Sequence, residues 1–261
     1  MDEAARYNRE RWTALAAADA LYTRPRPGLN LDTARALADP DRMMGELRGA
    51  RVLCLCGGGG KQSAAYGLLG AEVTVADLSP EQLERDRRMA DHYGIEVRTV
   101  EADMRDLSMF EPASFDIVDH AYSINFVPDC RGVIGGVARV LRRGGRYRLT
   151  IANPFGMAVR ETDWNGEGYT IRGPYTDGAK ITYDDQEWVY ERAPGTEIPR
   201  PVEYRHNLST VINGLAESGF IIEHFSDSLD MHPDPQAEPG TWDHYVAFVP
   251  PWLTFLTRLE N

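Results

Sequence analysis

The stretch RVLCLCGGGGKQSAAYGLL, residues 51–69, decides the fold. Its apolar beginning, Arg51–Cys56, has the length and composition of a buried strand. Four consecutive glycines, Gly57–Gly60, predict a tight turn, and a helical stretch follows to Leu69. Glycine lets a backbone approach a ligand closely, and a helix N-terminus offers unpaired N–H groups. This strand–turn–helix unit therefore predicts a ligand site at the end of the first strand.

Strands and helices alternate along most of the chain. Such alternation predicts an α/β fold, in which a parallel sheet is covered by helices on both faces. The predicted strands after Arg51–Cys56 are Glu72–Ala76, Glu96–Val100, Phe115–Val118, Arg146–Ile151, Phe220–Ser226 and His244–Val249. The other predicted helices cover residues 3–20, 32–47, 80–94, 130–142 and 206–218.

The chain of 261 residues is predicted to form one domain with four consecutive parts. Residues 1–48 form an N-terminal helical lid, residues 49–153 form the ligand-binding core, and residues 206–261 add a helix and the last two strands. Residues 154–205 interrupt the alternation and are rich in Gly, Pro and Tyr. We interpret them as a β-rich cap insertion with short strand-like runs at Tyr169–Arg172 and Glu187–Arg192.

The charge of the chain weighs against nucleic acid as a partner. The 40 acidic residues outnumber the 28 basic ones and give a net charge of −12, whereas nucleic-acid-binding surfaces usually carry a basic excess. No apolar run approaches the roughly 20 residues of a membrane helix. The first residues, MDEAARYNRERW, lack the apolar region of a signal peptide. We therefore expect a cytoplasmic protein with no membrane partner.

The three cysteines predict neither a disulfide framework nor a metal site. Cys54, Cys56 and Cys130 are odd in number and lack the spacing of metal ligands. Cys54 and Cys56 are two residues apart in the first predicted strand. Since side chains alternate along a strand, we expect both on one face of the sheet, in the core.

Two acidic residues at the ends of the following strands indicate what the ligand is. Asp77 ends the second strand about 20 residues after the turn, where a carboxylate can accept hydrogen bonds from both hydroxyls of a ribose. Asp103 ends the third strand and can accept from an adenine amino group. An NAD-binding fold requires a second set of alternating strands and helices for the other nucleotide, and no such repeat follows Ile151. A phosphate-binding loop requires Ser or Thr after Lys61, where the chain has Gln62.

Between about residues 50 and 152 the chain resembles the class I S-adenosylmethionine-dependent methyltransferases. The resemblance rests on the glycine turn, on Asp77 and on the order of the motifs that follow. It implies a Rossmann-like sheet of seven strands, mostly parallel with the last strand antiparallel, and S-adenosylmethionine as cofactor. The motifs are Ala102-Asp103-Met104, Phe115-Asp116-Ile117-Val118, Val127-Pro128-Asp129 and Leu141-Arg142-Arg143-Gly144-Gly145-Arg146.

The resemblance also implies where each part of the cofactor lies. The glycine turn would surround the methionine end, Asp77 would bind the ribose, and Asp103 and Met104 would flank the adenine. Residues after the fourth strand would lie beside the methionine portion. The predicted cofactor-binding residues are Tyr7, Trp12, Cys56, Gly57, Gly58, Gly60, Gln62, Asp77, Leu78, Ser79, Ala102, Asp103, Met104, His120, Tyr122 and Ser123.

The chain departs from the family pattern within the first strand. Members commonly have an acid at the position of Cys54 and glycine at that of Cys56. We therefore expect Gln62 or the N-terminal helix to hold the amino-acid end of the cofactor. Tyr7 and Trp12 are the candidates on that helix, and ordinary helix packing is the alternative for each.

Candidate catalytic and acceptor-binding residues follow from position. His120 ends the fourth strand, where catalytic groups collect, and its usual pKa suits a general base. The alternative is a histidine that only packs. In the cap, Tyr169, Tyr175 and Trp188 are expected to line an aromatic pocket for the acceptor. A β-meander with aromatic cross-strand pairs is the alternative.

These observations predict transfer of a methyl group to an O, N or C nucleophile of a small acceptor. The acceptor is expected to be an aromatic or heterocyclic metabolite of secondary metabolism. Two other functions remain open. One is a regulatory protein that binds the cofactor without transferring the methyl group, and the other is a methyltransferase that acts on a macromolecule. Fold analogy cannot choose among substrates.

Overall fold

The structure, a computed structural model, describes residues 1–157, 159–184, 198–227 and 231–260. A seven-stranded sheet forms its centre, and a separate pair of short strands lies outside it. The strands in chain order are β1 (Arg51–Leu55), β2 (Glu72–Asp77), β3 (Val97–Glu101), β4 (Phe115–His120), β5 (Leu141–Ala152), β6 (Lys180–Thr182), β7 (Val202–Tyr204), β8 (Phe220–Ser226) and β9 (Trp252–Leu259), of which β6 and β7 form the separate pair. The helices are α1 (Glu3–Ala17), α2 (Leu31–Ala38), α3 (Gln62–Leu68), α4 (Pro80–Tyr93), α5 (Cys130–Val140), α6 (Leu208–Glu217) and α7 (Trp242–Phe248).

The sheet has the order β3-β2-β1-β4-β5-β9-β8. Strands β1 to β5 pair in parallel, and β9 pairs antiparallel with both β5 and β8. This confirms the predicted seven-stranded, mostly parallel sheet. It also brings the carboxyl ends of β1, β2 and β4 side by side, because parallel neighbours all end at one edge.

The alternating side chains of β1 explain why helices cover both faces. Val52 and Cys54 are fully buried against the layer that contains α2, α3 and α4, whereas Leu53 and Leu55 are fully buried against α5 and α6. A strand buried on both faces is apolar throughout rather than alternately polar. The run RVLCL meets this requirement.

The predicted strand at His244–Val249 is wrong. Residues Trp242–Phe248 form helix α7, and the last strand is Trp252–Leu259 instead. The aromatic and β-branched residues of the segment resemble a strand, but Pro250 and Pro251 separate it from the sheet. Proline lacks an N–H donor and ends the helix, so strand pairing begins only at Trp252.

The cap contains less regular structure than predicted. Its strands β6 and β7 form a two-stranded antiparallel sheet, and Tyr169 makes a single bridge to Trp164 where a strand-like run was predicted. The predicted run Glu187–Arg192 lies outside the described residues. The second helix is also shorter than predicted and ends at Ala38. Within the described ranges, every helix is too short or too polar to cross a bilayer.

Candidate functional site

A cavity of about 1090 Å³ lies at the carboxyl ends of β1, β2 and β4. The glycine turn after β1 forms part of its wall, and helix α1 passes over it. Its volume exceeds the roughly 300–1,000 Å³ of ordinary ligand pockets. The cavity therefore has room for more than one small molecule.

The glycine turn admits no side chain at Gly58. The Gly58 N–H donates to Asp77 Oδ2 at 3.0 Å. A Cβ atom added at Gly58 would lie 2.6 Å from Gln82 Cβ and 2.8 Å from Asp77 Oδ2. The backbone at this position thus packs directly on the carboxylate that the sequence assigned to the ribose.

The sequence predicts Cys54 and Cys56 on one face of the sheet, and this prediction is wrong. The φ of 49° at Cys56 is left-handed, so the chain leaves the strand geometry at this residue. Cys54 is buried with α2–α4, whereas Cys56 packs on the opposite cluster and also lines the cavity. A left-handed conformation is costly for any residue other than glycine, so the glycine of the expected family pattern would fit this position without strain. Burial raises the pKa of the Cys56 thiol.

Asp86 of α4 holds the second half of the turn, and the sequence analysis missed it. Its fully buried carboxylate accepts from the N–H groups of Gly59 at 3.0 Å and Gly60 at 3.1 Å and from the hydroxyl of Ser63. A buried N–H without an acceptor costs about 1–3 kcal/mol. Asp86 therefore fixes the conformation of the turn from behind the cavity.

The buried carboxyl of Asp86 predicts a pH dependence of stability. Burial raises its pKa from 3.8 to about 7, against the opposing effect of the Ser63 hydroxyl and the turn amides. When the pKa of a group is higher in the folded state than in the unfolded state, protonation of that group stabilises the fold. This stability is fully present below the unfolded-state pKa and is lost as the pH rises through the folded-state pKa. We expect the wild type to lose stability relative to Asp86→Asn between about pH 4 and pH 7.

Denaturant unfolding of both proteins across this pH range measures the effect. Asp106→Asn is a suitable control, because Asp106 is exposed and Ser108 lowers the pKa of its carboxyl. Between about pH 4 and pH 7, the free energy of unfolding of the wild type should not fall relative to that of Asp106→Asn. A constant difference between the wild type and Asp86→Asn would contradict the prediction.

Asp77, which the sequence predicts to bind the ribose, lies at the end of β2 beside the glycine turn. It lines the cavity, and its two oxygens accept from the N–H groups of Gly58 and Ser79 at 3.0 and 2.9 Å. Each carboxylate oxygen can accept more than one hydrogen bond, so both retain capacity for ribose hydroxyls. Burial raises the pKa of Asp77, and the backbone N–H groups oppose that effect.

Asp103 also lines the cavity, and an arginine couples it to the lid. Arg105 donates to Asp103 through Nη2 at 2.6 Å and to Asp2 through Nη1 at 2.6 Å. Asp2 in turn caps α1 by accepting from the N–H of Ala5. The wall predicted to contact the adenine is thus tied to the first turn of α1.

Helix α1 is held over the cavity at two further points. Asn8 Nδ2 donates to the carbonyl of Phe126 at 3.0 Å, and the Thr13 hydroxyl donates to Glu81 Oε2 at 2.6 Å. Trp12 lines the cavity and meets the ring of Phe126 edge-on, with 5.7 Å between centroids. These contacts hold α1 beside the cavity, and a lid formed by residues 1–48 stays a prediction.

Most of the predicted cofactor-binding residues line this cavity. The structure brings together Trp12, Cys56, Gly57, Gly58, Gln62, Asp77, Leu78, Asp103, Met104, Tyr122 and Ser123.

Four others do not line the cavity. The Tyr7 hydroxyl donates to the carbonyl of Arg200, Gly60 faces α4, the Ser79 side chain caps α4, and Ala102 continues the pairing of β3 with β2.

His120 is not placed to act as the base. Its side chain is fully buried on the α5 and α6 side of the sheet, and Nδ1 lies 2.9 Å from the hydroxyl of Tyr147. It does not line the cavity. Burial lowers its pKa to about 3, so the ring is neutral at physiological pH. The alternative of a packing histidine fits this position.

Two of the three aromatic residues predicted to bind the acceptor lie elsewhere. Tyr169 packs on Trp164 and its hydroxyl lies 2.7 Å from His244 Nδ1, while Tyr175 is exposed and stacks on Phe155. Neither lines the cavity. Trp188 lies outside the described residues.

Other aromatic residues form the far end of the cavity. Trp242 and Tyr245 of α7 and Trp252 of β9 line it, with 5.6 Å between the centroids of the two indoles. The hydroxyls of Thr150 and Thr254 lie 3.0 Å apart on the same wall. The sequence did not point to this group, because Trp242 directly precedes the segment His244–Val249, which was predicted to be a strand.

Comparisons with known proteins agree with this geometry. Residues 53–149 match the family model described as a methyltransferase domain. The chain is 32% identical over 184 residues to the uncharacterized methyltransferase YbaJ of Bacillus subtilis, covering 69% of each chain. It is 37% identical over 118 residues to a ubiquinone biosynthesis O-methyltransferase of Xanthomonas euvesicatoria, covering 44% of this chain. The match spans about half, 49%, of that relative's own length.

Solved structures show the same fold. A putative S-adenosylmethionine-dependent methyltransferase of Listeria monocytogenes superposes with a TM-score of 0.67 at 17% identity, over 88% of this chain and 99% of that one. An S-adenosylmethionine-dependent methyltransferase of Mesorhizobium loti gives 0.65 at 24% identity, over 88% and 100%.

Proposed function

Because the chain belongs to the class I S-adenosylmethionine-dependent methyltransferases, we propose that its methyl acceptor is a small aromatic or heterocyclic molecule. One observation carries this proposal. A single cavity of about 1090 Å³ extends from the glycine turn to the aromatic wall of Trp242, Tyr245 and Trp252. A cofactor bound at the turn would leave the aromatic end free for a flat acceptor.

The residues of the glycine turn suit the cofactor, which when bound supplies an electrophilic methyl group on its sulfonium. Asp77 offers a carboxylate to the ribose, and Gly58 brings the backbone close to it. Helix α1 and the cap would exclude water. The main contribution of the protein would be to hold the acceptor's nucleophile within about 3–3.5 Å of the methyl carbon and in line with the bond that breaks.

The chemistry of the far wall supports an acceptor with a flat ring and a hydrogen-bonding group. Indole and phenol rings offer large apolar faces to a flat ligand. The threonine hydroxyls and the buried carboxylate of Glu203, which accepts from the Tyr183 hydroxyl at 2.8 Å, offer polar contacts on the cavity wall. Since His120 lies outside the cavity, nucleophiles that need no histidine base, such as neutral nitrogen or electron-rich carbon, fit best.

Two related proteins are compatible with this acceptor class. A Burkholderia thailandensis N1-methyltransferase with the same fold, at a TM-score of 0.58 and 17% identity, is described with bound 1,6-didemethyltoxoflavin and S-adenosylhomocysteine. The Xanthomonas relative is a ubiquinone biosynthesis O-methyltransferase. The net charge of −12 also disfavours a phosphate backbone as partner.

A transfer assay with methyl-labelled S-adenosylmethionine tests the proposal. The panel contains phenols and nitrogen heterocycles, together with purified tRNA, rRNA and DNA. We expect label on at least one small acceptor class and none on nucleic acid. Robust labelling of nucleic acid, without labelling of any small molecule, would contradict the proposal.

Trp242→Ala is expected to lower kcat/KM for the acceptor by about tenfold or more, since large aromatic anchors dominate binding in buried contacts. The affinity for S-adenosylhomocysteine, measured by calorimetry, should stay nearly unchanged. Phe248→Ala is the matched control, because Phe248 is an aromatic residue on the same helix and, like Trp242, is partly exposed, but it does not line the cavity. Equal values of kcat/KM for the two variants would show that Trp242 does not contact the acceptor.

A further inference from the structure

Lys61 is a cation in the cavity that the sequence analysis did not assign. It follows the glycine turn directly, it is half-buried, and it lines the cavity beside Gln62. Its Nζ lies 3.4 Å from the carbonyl of Tyr22. Among the described residues, no carboxylate lies within 4.0 Å of this nitrogen.

Two other cations of the cavity wall are neutralised by carboxylates. Arg105 is paired with Asp103 at 2.6 Å, and Arg148 is paired with Asp119 at 2.7 Å. Buried charges normally have such partners, because an isolated ion loses its hydration without compensation. Lys61 therefore differs from these arginines in lacking an anion beside it within the described part of the chain.

The surroundings of Lys61 favour an anion. Burial, together with the positive charges of Arg26 and Arg85, lowers the pKa of Lys61 to about 8. Arg85 is itself held by Asp19 at 3.1 Å and by the carbonyl of Thr23. An anion placed at Lys61 would relieve the repulsion among these cations.

The position along the cavity indicates which anion this is. Asp103 lies on the adenine wall, Asp77 on the ribose wall, and Lys61 follows the turn beyond them. The part of the cofactor that extends past the ribose carries a carboxylate. We propose that Lys61 binds the α-carboxylate of S-adenosylmethionine through an ion pair at the end of the glycine turn. This inference concerns the cofactor and does not depend on the identity of the acceptor.

A pair of ligands isolates the amino-acid group, whose only negative charge is the carboxylate. S-adenosylhomocysteine carries it, whereas 5′-methylthioadenosine has the same nucleoside and thioether without the amino-acid group. Calorimetric titration of Lys61→Met should show a loss of affinity for S-adenosylhomocysteine on the order of 10- to 100-fold, as expected for a charged hydrogen bond. Affinity for 5′-methylthioadenosine should not change. Lys61→Arg should retain most of the affinity for both ligands.

Control variants and pH complete the test. Lys180→Met removes the other lysine, which lies on β6 away from the cavity, and should bind both ligands normally. Wild-type affinity for S-adenosylhomocysteine should fall more steeply above about pH 8 than that of Lys61→Met, because only the wild type loses the lysine charge. Unchanged affinity of Lys61→Met for S-adenosylhomocysteine, or equal losses for both ligands, would overturn the proposal. If Lys61→Met fails to fold, Lys61→Gln replaces it in the same titrations.

Discussion

Gly58→Val is expected to abolish binding of S-adenosylhomocysteine. The added Cβ would lie 2.6 Å from Gln82 Cβ and 2.8 Å from Asp77 Oδ2, closer than non-bonded atoms approach. The two further methyl groups of valine make the clash larger. The variant must displace Asp77 or the turn itself, and either movement destroys the ribose site. Isothermal titration calorimetry measures the loss.

Gly28→Val is the matched control for this prediction. Gly28 lies in an exposed loop, a Cβ added there meets no atom within 4 Å, and the residue does not line the cavity. It should bind the ligand normally. If Gly58→Val folds, as judged by circular dichroism, and still binds with wild-type affinity, the cofactor site lies elsewhere.

Asp77→Ala has the second largest expected effect. Its carboxylate would form two charge-assisted hydrogen bonds with the ribose, each of about 1.5–3 kcal/mol. A tenfold change in affinity corresponds to about 1.4 kcal/mol, so the loss should be on the order of 100-fold or more. The variant also leaves the N–H groups of Gly58 and Ser79 without their acceptor.

Asp106→Ala separates this effect from a general loss of negative charge. Asp106 is exposed and follows the third strand, but it does not line the cavity. Its removal should leave calorimetric affinity for S-adenosylhomocysteine unchanged. A folded Asp77→Ala protein that binds as tightly as Asp106→Ala would show that Asp77 does not contact the ribose.

The sequence predicts those parts of the fold and site that depend on local signals. The glycine turn, Pro80 at the start of α4 and Gly94 at its end, with a φ of 63°, each define the end of an element by backbone chemistry. Asp77 could be placed because a strand end in a parallel sheet fixes its direction. Of these features, the glycine turn and Asp77 line the cavity directly.

His120 shows where residue type was given too much weight. Side chains alternate along β4, so Val118 and His120 point to the buried α5 and α6 side, while Asp119 between them points to the other face. Asp119 lines the cavity and pairs with Arg148. The alternation was available in the sequence, and it places the aspartate rather than the histidine in the cavity.

The acceptor end of the cavity depends on contacts between distant segments. Trp242 and Trp252 meet because α7 ends at the two prolines and the chain returns as β9 beside β5. No local periodicity encodes that approach. Asp86 likewise reaches the turn only because α4 packs behind it, since the aspartate lies 27 positions after Gly59 in the chain.

A crystal structure with S-adenosylhomocysteine would show whether the cofactor occupies the cavity in the proposed orientation. We expect the ribose hydroxyls against the Asp77 carboxylate, the adenine beside Asp103 and Met104, and the sulfur facing the wall formed by Trp242 and Trp252. A nucleoside bound away from Asp77, or a sulfur atom that faces away from that aromatic wall, would contradict it.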